Sequence, residues 1–118
     1  KPTTARFNGM AVGGGNEFNI SCDLAIAANH AQFFQVGTNV GSVAAVSCWF
    51  LPLLIGDRRA REMLLLNRRI DAKTALEWGL VNQVVPYEKL DEAIEKMAGE
   101  FSNKFPECTR YPSAGQLL

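Results

Sequence analysis

Three consecutive glycines, Gly13-Gly14-Gly15, constrain this chain more than any other feature. They follow a short apolar run, Met10-Ala11-Val12. They precede a segment from Asn16 to Cys22 that predicts a helix, with Asn16 or Glu17 near its N-terminus. Residues without Cβ reach backbone conformations closed to others and let another molecule come close to the main chain. At a helix start the first N–H groups have no partner inside the helix, and the dipole favours negative charge. Two readings stay open. The triplet holds a phosphate or an oxyanion, or it is a turn that packs a helix tightly on a sheet. Neither a Gly-x-x-x-x-Gly-Lys-Ser/Thr phosphate loop nor a Gly-x-Gly-x-x-Gly dinucleotide turn is present.

Around the triplet the pattern alternates between strand and helix. Thr3 to Phe7 predicts a strand ending in the turn pair Asn8-Gly9. Leu24 to Ala28 and Gln32 to Val36 predict two more strands, separated by a turn at Asn29-His30, and Gly37 to Gly41 predicts a loop. The apolar run Ser47 to Leu54 reads as a helix. Asp57 is placed to cap a helix to about Leu66, and Asp71 to cap Ala72 to Trp78, which Gly79 then stops. Leu80 to Val85 is a short apolar segment ended by Pro86. Leu90, Ala93, Ile94, Met97, Ala98 and Phe101 recur at helical spacing, with Glu92–Lys96 and Glu100–Lys104 as i,i+4 pairs. Strands early and helices late predict a layered α/β unit with a helical C-terminal part.

Composition removes several classes of partner. Twelve Lys+Arg balance twelve Asp+Glu over 118 residues, so there is no basic field for nucleic acid or an anionic membrane. The most apolar run, Val43 to Ile55, is too short to span a bilayer. Cys22, Cys48 and Cys108 are odd in number and far apart, and His30 is the sole histidine. That pattern argues against a zinc site or a disulfide scaffold and predicts a reducing cytoplasm. Lys1 runs at once into strand and the chain closes on apolar Gly115-Gln116-Leu117-Leu118. Polar linkers usually mark domain boundaries, so the expectation is a piece of a longer protein.

Among single residues, Glu17 stands out. A carboxylate in a first helical turn is ordinarily a surface group. Its neighbours Phe18 and Ile20 are apolar, however, which leaves open a closed site suited to general acid/base work. His30 reads as an exposed turn residue, and Cys22 as a small helical core residue. Arg58, Arg59 and Arg61 form a solvated face or an anion contact. Ser21, Ser42 and Ser47 do not form a Gly-x-Ser-x-Gly elbow.

Taken together, Asn8-Gly9, Gly13-Gly14-Gly15-Asn16-Glu17, Cys22-Asp23-Leu24-Ala25-Ile26-Ala27 and Ala31-Gln32-Phe33 resemble the signature of the crotonase (enoyl-CoA hydratase/isomerase) superfamily. The resemblance continues through Leu51-Pro52, Gly56, Glu62-Met63, Arg69-Ile70 and Gly79-Leu80-Val81-Asn82. It implies a spiral of ββα units capped by a helical trimerisation region. Residues 1–56 would be the C-terminal part of the spiral and 57–118 an incomplete helical region. It also implies an acyl-CoA thioester substrate, no metal and no separate cofactor, and a homo-trimer or hexamer. The thioester carbonyl would sit between two backbone N–H groups. Gly14 matches one donor, beside Gly15, and the other belongs to an earlier segment that this chain lacks. Glu17 matches the first of two hydratase glutamates. The second falls at Gly37, within Gln35-Val36-Gly37, so two-carboxylate hydration is not available as such. That departure resembles the ring-opening hydrolases of the family, as does Gly56-Asp57-Arg58-Arg59-Ala60-Arg61-Glu62. Val43 to Phe50 departs from both groups where glycines are expected near Val46 and Ser47.

Overall fold

A computed structural model of the chain describes residues 2–105. The first four strands come in two pairs, each followed by helix. The first pair is β1 (Thr4–Phe7) and β2 (Met10–Val12), followed by α1 (Gly14–Ser21). The second is β3 (Leu24–Ala28) and β4 (Gln32–Phe34), followed by α2 (Gly37–Val40), α3 (Ala45–Ile55) and α4 (Asp57–Leu66). Then come β5 (Ile70–Asp71), α5 (Ala72–Trp78), β6 (Gln83–Val85), a 3-10 turn at Tyr87–Lys89 and α6 (Leu90–Ser102). The two strands of a pair enter different sheets, ordered β1-β3-β6 and β2-β4-β5. β1 pairs with β3 and β2 with β4 in parallel, as strands one repeat apart must when a ββα unit stacks on its successor.

β3 shows why this sequence stacks so closely. Its residues Ala25 to Ala28 are all buried, and alternate side chains serve opposite faces. Ala25 and Ala27 join the main core with Phe33, Leu51, Met63 and Ala75. Ile26 and Ala28 meet Leu90, Ala93, Ile94 and Met97 of α6. Small side chains on a strand covered on both faces let helices approach from each side. The apolar stripe of α6 is thereby docked on the central strand, and Arg6 of β1 anchors its start through Asp91 at 2.7 Å. Phe7 lies edge-on to Phe33 at 5.1 Å and ties the two sheets together.

Several expectations need correction. α1 begins at Gly14, two residues before Asn16, because Gly13 N–H donates to Phe34 O and Glu17 N–H already bonds to Gly13 O. Cys22 is the residue after that helix, not part of it. Gly37–Val40, read as loop, forms one helical turn closed by Gly41 at φ 72°. Asp57 does not cap α4. Gly56 holds that position, and the Asp57 carboxylate takes Arg61 at 2.8 Å. Glu92–Lys96 and Glu100–Lys104 do not close into ion pairs among the described residues. The second half is helical but also supplies β5 and β6, each joined to a strand of the first half. Cys108 and the apolar end from Gly115 to Leu118 lie outside the described residues. Among the described residues no helix is long and apolar enough to cross a membrane.

Candidate active site

The triplet sits where β2 hands over to α1. Gly13 adopts φ 52°, a left-handed value that suits glycine, and its N–H is spent on Phe34 O at 3.1 Å. That bond pins the start of α1 to the end of β4. Gly14 and Gly15 are the first two helical residues, and a Cβ built on either would meet nothing within 4 Å. The first intrahelical bond is made by Glu17 N–H, so the Gly14 and Gly15 N–H groups precede the helical ladder. N–H groups so placed are candidates to donate to a developing negative charge, Gly14 being the one the family resemblance singles out.

Glu17 follows one turn later and is half-buried. Its Oε1 accepts from Ser47 N–H at 3.2 Å, across 30 residues of sequence. Ser47 is in the first turn of α3, whose N-cap residue Ala44 makes no side-chain capping bond. The carboxylate of one helix therefore caps another. Ser47 is itself fully buried, and its Oγ accepts from Gln35 Nε2 at 2.8 Å. Gln35 O in turn accepts from Asn67 Nδ2 at 2.8 Å, and Thr38 Oγ1 donates to Asn67 Oδ1 at 2.9 Å.

Gly37 starts α2 two residues beyond Gln35. A Cβ there would lie 2.8 Å from Ser42 O, a main-chain atom that cannot swing aside. The Ser42 N–H bonds back to Gly37 O at 2.9 Å, so the 37–42 segment closes on itself. A cavity of about 140 Å³, lined by Gln35, Gly37, Val43, Ala44, Cys48 and Leu64 among others, lies beside this turn. An open cleft of about 370 Å³ near Arg68, Arg69 and Trp78 is larger but includes none of the candidate residues.

The structure thus brings Gly14, Gly15 and Glu17 together on one helix start, with Gly37 tied in through Gln35 and Ser47. It keeps His30 elsewhere, bonded to Asn8 O at 2.8 Å and tilted on Tyr87. The arginine cluster is dispersed: Arg61 pairs with Asp57 and Arg59 lies over Trp78. Sequence reasoning does not reach Gln35 and Ser47 as site residues. Their one local signal is polarity inside apolar runs, Phe33-Phe34-Gln35 and Val46-Ser47. It also passes over Asn16, buried between Gly15 and Glu17, whose side-chain amide has no partner among the described residues.

Comparison with known proteins identifies the family and the fold. The family description "enoyl-CoA hydratase/isomerase" matches residues 1–112. The chain is 39% identical over 103 residues to 4-chlorobenzoyl coenzyme A dehalogenase-1 of Arthrobacter sp., covering 86% of this chain and 37% of that protein. An enoyl-CoA hydratase of Mycobacterium paratuberculosis superposes with a TM-score of 0.91 at 33% identity, over 98% of this chain and 52% of that one. One from Bacillus anthracis gives 0.91 at 36% identity, over 97% and 45%. The chain therefore spans about half the length of these structures, and less of the dehalogenase. With the ββα stacking, the glycine-led helix and the match over nearly its whole length, the chain belongs to the enoyl-CoA hydratase/isomerase (crotonase) family and has its α/β fold.

Proposed function

We propose that the full-length protein is a ring-opening hydrolase of a cyclic oxo-acyl-CoA, with 6-oxocyclohex-1-ene-1-carbonyl-CoA as its substrate. The observation that carries this reading is one tethered carboxylate, Glu17, combined with a Gly37 position that has no room for a second. Hydration between two flanking carboxylates lacks its second acid at that position. A single acid/base group that handles water twice fits instead. In the first step water oxygen bonds to the alkene carbon β to the thioester, and the electron pair moves onto the thioester oxygen. The Gly14 N–H, beside Gly15, donates to that oxyanion, an interaction of about 3 kcal/mol for one donor in such sites. Protonation at the α-carbon completes the hydration. A second water then attacks the ring ketone. The bond from that carbon to the α-carbon breaks, and the electron pair returns to the same thioester enolate. Protonation leaves a carboxylate and an open-chain 3-hydroxypimeloyl-CoA-type product. Glu17 takes the proton from water and returns it to carbon. These steps call for no metal or redox cofactor, and CoA arrives with the substrate. We assign the helices after residue 56 to subunit contacts of a cytoplasmic trimer or hexamer, which light scattering on the full-length protein checks.

A second reading is hydratase, isomerase or dehalogenase chemistry on another acyl-CoA. The identity to proteins named for 4-chlorobenzoyl-CoA favours a ring on the thioester in either case. The deciding experiment is a panel on the full-length enzyme: the cyclic oxo-enoyl-CoA, 4-chlorobenzoyl-CoA and a straight-chain enoyl-CoA. Ring opening of the first, lost about 10²-fold or more in Glu17→Gln, is the expected result. Unchanged turnover in that variant removes Glu17 from the mechanism, and preference for either other substrate selects the second reading.

A further inference from the structure

The Glu17 carboxylate is held by the 3.2 Å bond from Ser47 N–H. Whatever fixes Ser47 therefore fixes the acid. Within α3 itself there is no cap, because Ala44 supplies no capping side chain; the first turn is capped only by the Glu17 carboxylate that it in turn holds. A second bond from outside the helix fixes the Ser47 side chain: Gln35 Nε2 to Ser47 Oγ at 2.8 Å, between two residues 1% and 0% exposed. Gln35 is itself fixed from the far side by Asn67 on its main-chain oxygen. In so dry a place the bond is strong, and breaking it leaves a buried polar group unpaired. The path is continuous from the end of β4, through Gln35 and Ser47, to the carboxylate.

We propose that Gln35 and Ser47 are positioning residues that set the Glu17 carboxylate through the first turn of α3. The inference rests on the reading of Glu17 as the acid/base group. It has a physical motive specific to this chain. With Gly37 in the second position, a single carboxylate must be held still by its surroundings. Neither residue touches the substrate in this scheme, and their effect passes through Glu17 alone.

The test uses the full-length enzyme and two shape-conserving variants from opposite ends of the bond, Gln35→Met and Ser47→Ala, with thermal melts alongside. Each is expected to lower kcat roughly 10- to 100-fold, since misplacing a catalytic group by about an ångström costs about 10²-fold. KM should stay within about twofold, and melts that show both variants fully folded at the assay temperature exclude a mere loss of active enzyme, which would also lower apparent kcat at constant KM. In a Glu17→Asp background, where the shortened acid no longer reaches Ser47, Gln35→Met should cost less than about threefold more. Three results overturn the proposal: wild-type kcat in both variants, the same fold-loss in the Glu17→Asp background, or loss of folding in both variants, which would assign the bond to stability. If Glu17→Gln itself leaves turnover intact, the reading beneath the proposal fails, and the proposal with it. That outcome is distinguishable because it appears in the Glu17→Gln enzyme and not in the Gln35→Met or Ser47→Ala variants.

Discussion

At Gly37 a carbonyl oxygen decides which side chain is possible. Any Cβ there approaches Ser42 O to 2.8 Å, and the 37–42 turn is closed by its own hydrogen bond. Restoring the second acid is therefore not a matter of exchanging one residue. Gly37→Glu in the full-length protein is expected to lower the melting temperature and to create no hydration of a straight-chain enoyl-CoA. Gly37→Ala alone should cost about 1–3 kcal/mol in denaturant unfolding, the usual cost of overpacking. Efficient hydration by Gly37→Glu at wild-type stability would show that the turn opens readily. At this scale the sequence is informative where the chemistry is local. Gly14, Gly15 and Glu17 share one helix start, so spacing alone puts them together. The Glu17–Ser47 and Gln35–Ser47 bonds join residues 30 and 12 apart, and no local pattern records them.

Among the elements, α5 is the one whose ends are fully legible, because both of its stops are side-chain or backbone devices adjacent in sequence. Asp71 Oδ1 accepts from Thr74 N–H at 2.8 Å, and Gly79 takes the left-handed conformation at φ 86°. The Thr74 hydrogen bond holds the Asp71 carboxyl below its ordinary range, with a smaller pull from Lys73. A carboxylate lowered in the folded state stabilises fully above its unfolded value, and that stability is lost as pH falls through the folded value. Asp71→Ala should thus cost about 1 kcal/mol at pH 7, and the gap to wild type should shrink in acid. Asp71→Asn keeps an acceptor and should lose the acid dependence. Urea titrations at neutral and acid pH check both, and a gap that widens in acid would contradict the capping account. α1, α2 and β5 are less legible for an opposite reason. Glycine is a poor helix former, yet Gly14 and Gly15 are helical because Gly13 is tied to β4, and the two residues of β5 are a strand only because Gln32 and Phe33 face them.

At the scale of the whole molecule, the described residues around the candidate donors form an open face. Gly14 and Gly15 lie open, and the cavity beside Gly37 holds about 140 Å³, well under the roughly 300–1,000 Å³ of pockets that enclose a small ligand. Phe18, Trp49 and Leu53 on α1 and α3 are each more than three-quarters exposed, so the faces next to the donors are apolar rather than charged. Among the described residues most arginines that could meet CoA phosphates are engaged elsewhere, Arg58 being the exception. Arg6, Arg61 and Arg68 lie in ion pairs, while Arg59 and Arg69 lie over the rings of Trp78 and Phe34. The balance of twelve basic and twelve acidic residues adds no long-range attraction. In the proposed reading a thioester resting on this face gains the Gly14 donor and one carboxylate but little enclosure, and association carries several kcal/mol of lost freedom before any surplus appears. The 118-residue chain alone is therefore expected to give no binding heat with a cyclic acyl-CoA at micromolar concentration, while the full-length enzyme binds it. Titration calorimetry on both, with the Glu17→Gln full-length protein used to prevent turnover, makes the comparison. A micromolar Kd for the isolated chain would mean that the donors of α1 and the tethered carboxylate suffice for recognition without enclosure.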